Sequence, residues 1–331
     1  MNSGGPHLSS HPVDERSAPA TIDDGPRILL VGSTGFIGSA IAKNLAAQGL
    51  LATHFVRKEP RLPGHHDFAL GDLEDVTSLL HACAGHQIVI NAASYVGTDP
   101  VQQNLVNVIG ASNLAQAAET TGVSRIVHVS TTSVYGGQAL NGSAELTRGL
   151  VPRSTLSRSR LAGEQVMIGA GGIVLRPHLV YGDGDKFFLG PLLLAMSAIG
   201  GWIEEGRARV STIASESLAR AIVTTATSLP PDERGKVFHA AHPETSTVAE
   251  LVETIVRSSS RTSTLGTFSA MQALEMLGAS GVTATQIEMV AADNWVDSAA
   301  LWKALGITPG KRVDMSEASR AWYRSLLAPR V

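Results

Sequence analysis

Between Arg27 and Gly38 the chain reads RILLVGSTGFIG, and no other stretch restricts the fold so tightly. Four apolar residues, Ile28 to Val31, run directly into glycines at positions 32, 35 and 38. An unalternating apolar run of this length reads as a parallel strand buried on both faces. From Phe36 to Leu45 the spacing becomes helical, so the glycines lie between a strand and a helix. Gly32 then allows the tight turn, Gly35 lets the backbone approach a pyrophosphate, and Gly38 lets helix and strand pack closely. The helix amino terminus, with free N–H groups and a favourable dipole, receives the phosphates, with Ser33, Thr34, Phe36 and Ile37 completing the cradle.

Strands and helices keep alternating to about residue 170, which predicts an α/β fold with a doubly wound parallel sheet of the Rossmann type. Strands are expected at 28–31, 51–56, 67–70, 87–91, 125–130 and 173–176. Helices are expected at 37–48, 76–81, 101–122 and 157–167. Beyond Tyr181 the pattern loosens into a loop at 183–185 and helices at 187–199, 215–228 and 247–258, with a return strand at 236–240. The expected organisation is a disordered tail over 1–25, a dinucleotide-binding domain over 26–183 that takes back the strand near 236–240, and a smaller substrate-binding and lid region over 184–331.

Composition narrows the functional classes. A net charge of −3 offers no basic stripe, which argues against nucleic acid as a partner. The single cysteine, Cys83, has no disulfide partner and no companion metal ligand, so no metal is expected. No apolar run reaches about 18 residues, so no membrane span is expected. The tail is rich in Ser, Pro, Gly and His and lacks the apolar core of a secretion signal, so a cytoplasmic protein is the expectation.

The end of the second strand selects the cofactor. Phe55-Val56 is followed by Arg57-Lys58, and no Asp or Glu occurs between Arg27 and Glu59. An acidic residue there binds the ribose hydroxyls of NAD, whereas arginine accommodates the extra phosphate of NADP. The guanidinium fork of Arg57 and the point charge of Lys58 favour NADP(H) over NAD(H).

Further motifs carry a family resemblance. The GxxGxxG spacing, Gly71-Asp72-Leu73, Asn91-Ala92-Ala93, Asn107 and Leu175-Arg176-Pro177-His178-Leu179-Val180-Tyr181-Gly182 together resemble the extended and atypical short-chain dehydrogenase/reductases. That family includes nucleotide-sugar epimerases and dehydratases. The resemblance implies adenine contacts at Asp72 and Leu73 and passage of the ribose and nicotinamide past Ala92 and Ala93. It also places Asn107, Ser130, Pro177 and Val180 beside the cofactor. A homodimer through the long helices is implied in the same way.

The same resemblance locates the catalytic positions. Four residues before Tyr135, Thr131 stands where the family's carbonyl-polarising hydroxyl belongs. The segment Leu156-Ser157-Arg158-Ser159-Arg160-Leu161-Ala162-Gly163-Glu164 matches the family's Y-x-x-S-K-x-x-x-E with two departures. Leu156 replaces the tyrosine acid, and Arg160 replaces the ribose-binding lysine. Leucine moves no proton, and arginine stays protonated. Tyr95, His178 and Asp185 are the other donors expected near the nicotinamide end. The reading that follows is a reductase of a small-molecule ketone on a polycyclic aromatic polyketide, its proton drawn from substrate or water. A cofactor-binding redox sensor without turnover is the alternative, and a sugar-nucleotide epimerase the third.

Overall fold

The computed structural model describes residues 25–59, 67–137, 139–256, 266–278 and 284–328, together with Met1. Most of the tail assigned to 1–25 lies outside the described residues, as does the end of the helix expected at 247–258.

Six strands follow one another as β1 (Ile28–Val31), β2 (Ala52–Val56), β3 (Asp67–Leu70), β4 (Ile88–Asn91), β5 (Arg125–Val129) and β6 (Ile173–Pro177). With the return strand Val237–Ala240 they form one parallel sheet in the order return strand-β6-β5-β4-β1-β2-β3. Strand order reverses between β1 and β4, the switch point outside whose carboxyl ends open α/β sheets bind their ligands. All four residues of β1 are buried. Ile28 and Leu30 join one core with Ile41 and Leu45 of α1 (Phe36–Ala47), while Leu29 and Val31 face the opposite core with Leu114 and Ala118. The alternation of a strand thus supplies both cores from one apolar run.

On the Leu29 side lie α2 (Val76–Cys83), α3 (Pro100–Asn104), α4 (Gly110–Thr120) and α5 (Thr155–Gly169). A separate apolar cluster surrounds α6 (Leu189–Ile199), including Leu192, Met196, Leu251 and Tyr323. The opposite face of the sheet is covered by α1 and α7 (Ser215–Ser228), which pack on one another. Among the described residues no helix is long and apolar enough to cross a membrane.

Two helices differ from expectation. The span read as one helix over 101–122 contains a π-turn, Leu105–Ile109, between α3 and α4. A π-turn accommodates an extra residue without breaking the helix, and apolar periodicity does not reveal it. Across it, α5 packs so closely that a Cβ on Gly163 would stand 1.9 Å from the Asn107 carbonyl oxygen. The helix expected from 187 begins at Leu189, because the Asp185 carboxylate accepts the N–H groups of Phe187, Phe188, Leu189 and Gly190 at 2.7–3.3 Å.

Candidate active site

The glycine turn is shaped for an anion. Gly32 has φ 84°, and a Cβ there would lie 2.5 Å from the Ala93 nitrogen, so the β1 turn and the Asn91-Ala92-Ala93 turn need small residues where they meet. Helix α1 begins after Gly35 with no side-chain cap and no acidic residue in its first turn. Its leading N–H groups therefore lack a side-chain acceptor. Within the turn the Ser33 hydroxyl is buried without a partner. These orphaned donors fit a dinucleotide pyrophosphate.

At the end of β2, Arg57 and Lys58 are exposed and form no ion pair among the described residues. Beside them Gly71 donates its N–H to the Val56 carbonyl. In the turn that follows, the Asp72 carboxylate accepts the Glu74 N–H at 3.1 Å, and Leu73 packs over Gly110.

At the other end, the turn after β4 is held from α3 and the π-turn. The Asn107 side chain accepts from Ser94 Oγ at 3.0 Å and the Tyr95 N–H at 2.9 Å. It donates to the Tyr95 carbonyl and to Ser159 Oγ, both at 3.0 Å. An amide makes four such bonds, so none is left for direct cofactor contact. Asn107 thereby fixes the turn at Ser94 and Tyr95. Gln103, which the sequence did not single out, donates to the Gly97 carbonyl at 2.7 Å and leaves its buried Oε1 unpartnered. Tyr95 folds its phenol over Gly97, where a Cβ would lie 2.4 Å from the hydroxyl.

Helix α5 grips the end of β5 at two points. Arg160 donates to the Val129 carbonyl at 3.0 Å, and Glu164 accepts from Ser130 Oγ at 2.5 Å. These contacts fix the backbone immediately before Thr131. Thr131 Oγ accepts the Ser133 N–H at 3.1 Å as cap of a short 3₁₀ turn, Thr132–Tyr135, which leaves its hydroxyl proton free to donate. Burial lowers the Arg160 pKa to about 10, so the group remains a cation at neutral pH. Leu156 stands one turn earlier on the same helix.

Behind this edge lies a buried network of Glu164, Arg176, Tyr135 and His239. Arg176 donates to both Glu164 oxygens and, at 2.6 Å, to the Tyr135 hydroxyl. The Tyr135 oxygen is also 2.8 Å from His239 Nε2 and 2.7 Å from the Glu145 carbonyl. Tyr135 is thus committed to this buried network. An arginine inside the apolar strand Ile173–Pro177 was the available signal, because a buried charge demands a partner.

Two expected donors are occupied elsewhere. His178 Nδ1 is 2.7 Å from Thr132 Oγ1, and burial lowers its pKa to about 4, so at neutral pH it holds Thr132 as an uncharged ring. Asp185 is fully buried, with its carboxylate filled by four backbone N–H groups and the Tyr323 hydroxyl. It starts α6 and has no free oxygen face for a substrate, which corrects its placement among the acids. Pro177 ends β6 and Val180 lies in the short strand Leu179–Tyr181, which pairs with Thr212–Ala214.

Residues 26–281 match the model of the RmlD substrate binding domain family. The chain belongs to that family. It is 30% identical over 177 residues to a 2-alkyl-3-oxoalkanoate reductase of Stenotrophomonas maltophilia, covering 48% of this chain and 52% of the relative. It is 26% identical over 200 residues to a 4-hydroxy-2-methyl-3-oxo-4-farnesyl-3,4-dihydroquinoline-1-oxide ketoreductase of Stigmatella aurantiaca, covering 56% and 60%. The chain spans about half the length of curated relatives that it matches. In fold it is similar to UDP-glucuronic acid 4-epimerase of Bacillus cereus in complex with NAD, with a TM-score of 0.70 and 18% identity over 91% of this chain and all of the other. That likeness establishes the Rossmann-type fold of this RmlD-family chain.

Proposed function

We propose that this RmlD-family chain is an NADPH-dependent ketoreductase that works without a protein tyrosine. The observation that carries the reading is Leu156 in the tyrosine position, one helical turn from a protonated Arg160, in a chain whose Thr131 hydroxyl is free to donate. Bound NADPH supplies the hydride to the carbonyl carbon. Thr131 donates to the carbonyl oxygen and orients it, and the charge of Arg160 at the end of β5 favours the negative oxygen that develops. Removing general acid help costs roughly 10²–10⁴-fold, about 3–5 kcal/mol, while positioning supplies about 7–11 kcal/mol. A ketone bearing its own neighbouring phenol offsets the loss by passing that proton to the new alkoxide, and water restores it.

That chemistry points to a phenolic polycyclic ketone of the aromatic polyketide kind, in antibiotic biosynthesis. At the Leu156 and Arg160 positions the chain resembles simocyclinone 7-ketoreductase, which reduces an angucyclinone ketone. Reductases among the relatives support a carbonyl-reducing role. Arg57 and Lys58 support NADPH over NADH. The organisation we propose keeps the cofactor on 26–183 with the return strand, and the substrate on 184–331. Leu156 also favours a second reading, a redox sensor that binds NADP(H) without turnover, and it disfavours an epimerase that needs the missing acid.

The deciding experiment follows NADPH oxidation with phenolic polycyclic ketones beside simple ketones lacking the phenol. Turnover confined to the phenolic set is expected. Tight NADPH binding with no turnover on either set would establish the sensor instead.

A further inference from the structure

Between Glu145 and Glu164 the chain contains no acidic residue but carries Arg148, Arg153, Arg158 and Arg160, in a protein whose net charge is −3. Arg160 belongs to the site already described. The other three are exposed, and none has a carboxylate within ion-pair distance among the described residues. Their few contacts arrange them rather than neutralise them. Arg148 donates to Ser143 Oγ at 3.0 Å, Arg158 donates to the Arg153 carbonyl at 2.8 Å, and the Arg153 guanidinium occupies the space where a Cβ on Gly137 would stand.

The same segment exposes its apolar side chains. Leu146 is 86% exposed, Val151 56% and Leu150 38%. The strip is tied to the turn that carries Thr131. Val151 donates its N–H to the Val134 carbonyl at 3.0 Å, and its own carbonyl fills the space where a Cβ on Gly136 would stand. Its far end leads within a few residues to Leu156. The strip therefore connects the turn that follows Thr131 to the start of α5, where Leu156 stands.

We infer that residues 146–158 form an anion-binding rim, and that the preferred ketone is an amphiphile with a negative group remote from the carbonyl. This rests on the ketoreductase reading and adds a substrate class to it. The reason is physical. Unpaired guanidinium forks select carboxylate, sulfonate or phosphate oxygens, and adjoining leucine and valine side chains gain by covering an apolar body. A neutral polycyclic ketone satisfies only the second half of that surface.

The test uses 6-acetyl-2-naphthoate and its methyl ester, which share ring and ketone and differ by one charge. Binding of each to the full chain saturated with NADP⁺ is measured at 20 mM and 500 mM NaCl. The acid is expected to bind about tenfold more tightly than the ester at low salt, a preference that collapses at high salt. In Arg148→Gln/Arg153→Gln/Arg158→Gln, checked for folding by its melting temperature and NADPH affinity, the ratio of acid to ester affinity should approach one. Equal binding of acid and ester by the native chain, no binding of either, or a preference that survives the triple variant would each overturn the rim. If NADPH reduces neutral and anionic phenolic ketones equally well, the ketoreductase stands and the rim fails. If no ketone is reduced while the acid preference persists, the rim stands and the reductase reading fails.

Discussion

The Arg176 guanidinium and the Glu164 carboxylate face one another with 2% and 0% of their side chains exposed. Through Ser130 Oγ the pair reaches the last residue before Thr131, and through Tyr135 it reaches the return strand at His239. The backbone of the proposed site is thus clamped by two buried charges that water never screens.

Removing one partner leaves the other charge buried and alone. Glu164→Gln is therefore expected to destabilise the fold by about 3–5 kcal/mol, and Glu164→Gln combined with Arg176→Met by less than the single change. Urea unfolding of the three proteins checks the order.

Arg57→Ala should weaken NADPH binding by roughly ten- to a hundredfold, since it removes a charge-assisted contact to the 2′-phosphate of about 1.5–3 kcal/mol. NADH should bind nearly as before. Equal losses for both cofactors in titration calorimetry would refute the assignment of that phosphate.

Tyr95→Phe removes the one phenol at the 92–97 turn while keeping its packing on Gly97. If the substrate supplies its own proton, turnover of a phenolic ketone should stay within about threefold, far from the roughly 10²–10⁴-fold expected for loss of an acid. Single-turnover NADPH oxidation distinguishes the two.

His128 is buried, hydrogen-bonded to Asn91, and held by burial near a pKa of about 3, against 6.5 for the free ring. Its folded pKa lies below its unfolded one, so the unfolded chain binds more protons throughout the interval between them. Stability should accordingly fall as pH drops from about 6.5 toward 3, by up to about 1.4 kcal/mol per unit from this ring. Unfolding midpoints at pH 7.5, 6 and 5 measure the slope, which His128→Gln should flatten.

What the sequence could show follows from the kind of signal each element leaves. The run Ile28 to Val31 and the glycines after it announce β1, its turn and α1 because a doubly buried strand and a sterically crowded turn admit few other residues. Letters at fixed offsets placed Thr131 just beyond β5 and Leu156 and Arg160 on α5. They did not reveal that Asn107 spends all four hydrogen bonds on the 92–95 turn and Ser159, or that Asp185 starts a helix. Those roles depend on which donors a fold brings within 3 Å, and residues 52 positions apart, such as Asn107 and Ser159, leave no local trace. The π-turn is silent for a related reason, since one extra residue barely alters apolar spacing.

The hydroxyl of Tyr323, on the last helix (Glu317–Leu327), accepts the Gly182 N–H at 2.9 Å and donates to Asp185 at 2.9 Å. The loop that follows the Leu175–Gly182 motif is therefore pinned by a residue about 140 positions away. Helix and loop form one cooperative unit: when the last helix frays, the N–H groups gathered by Asp185 lose their anchor too, and both regions should exchange their amide hydrogens together. The loop beyond Gly182 thus takes its anchoring from the helix Glu317–Leu327.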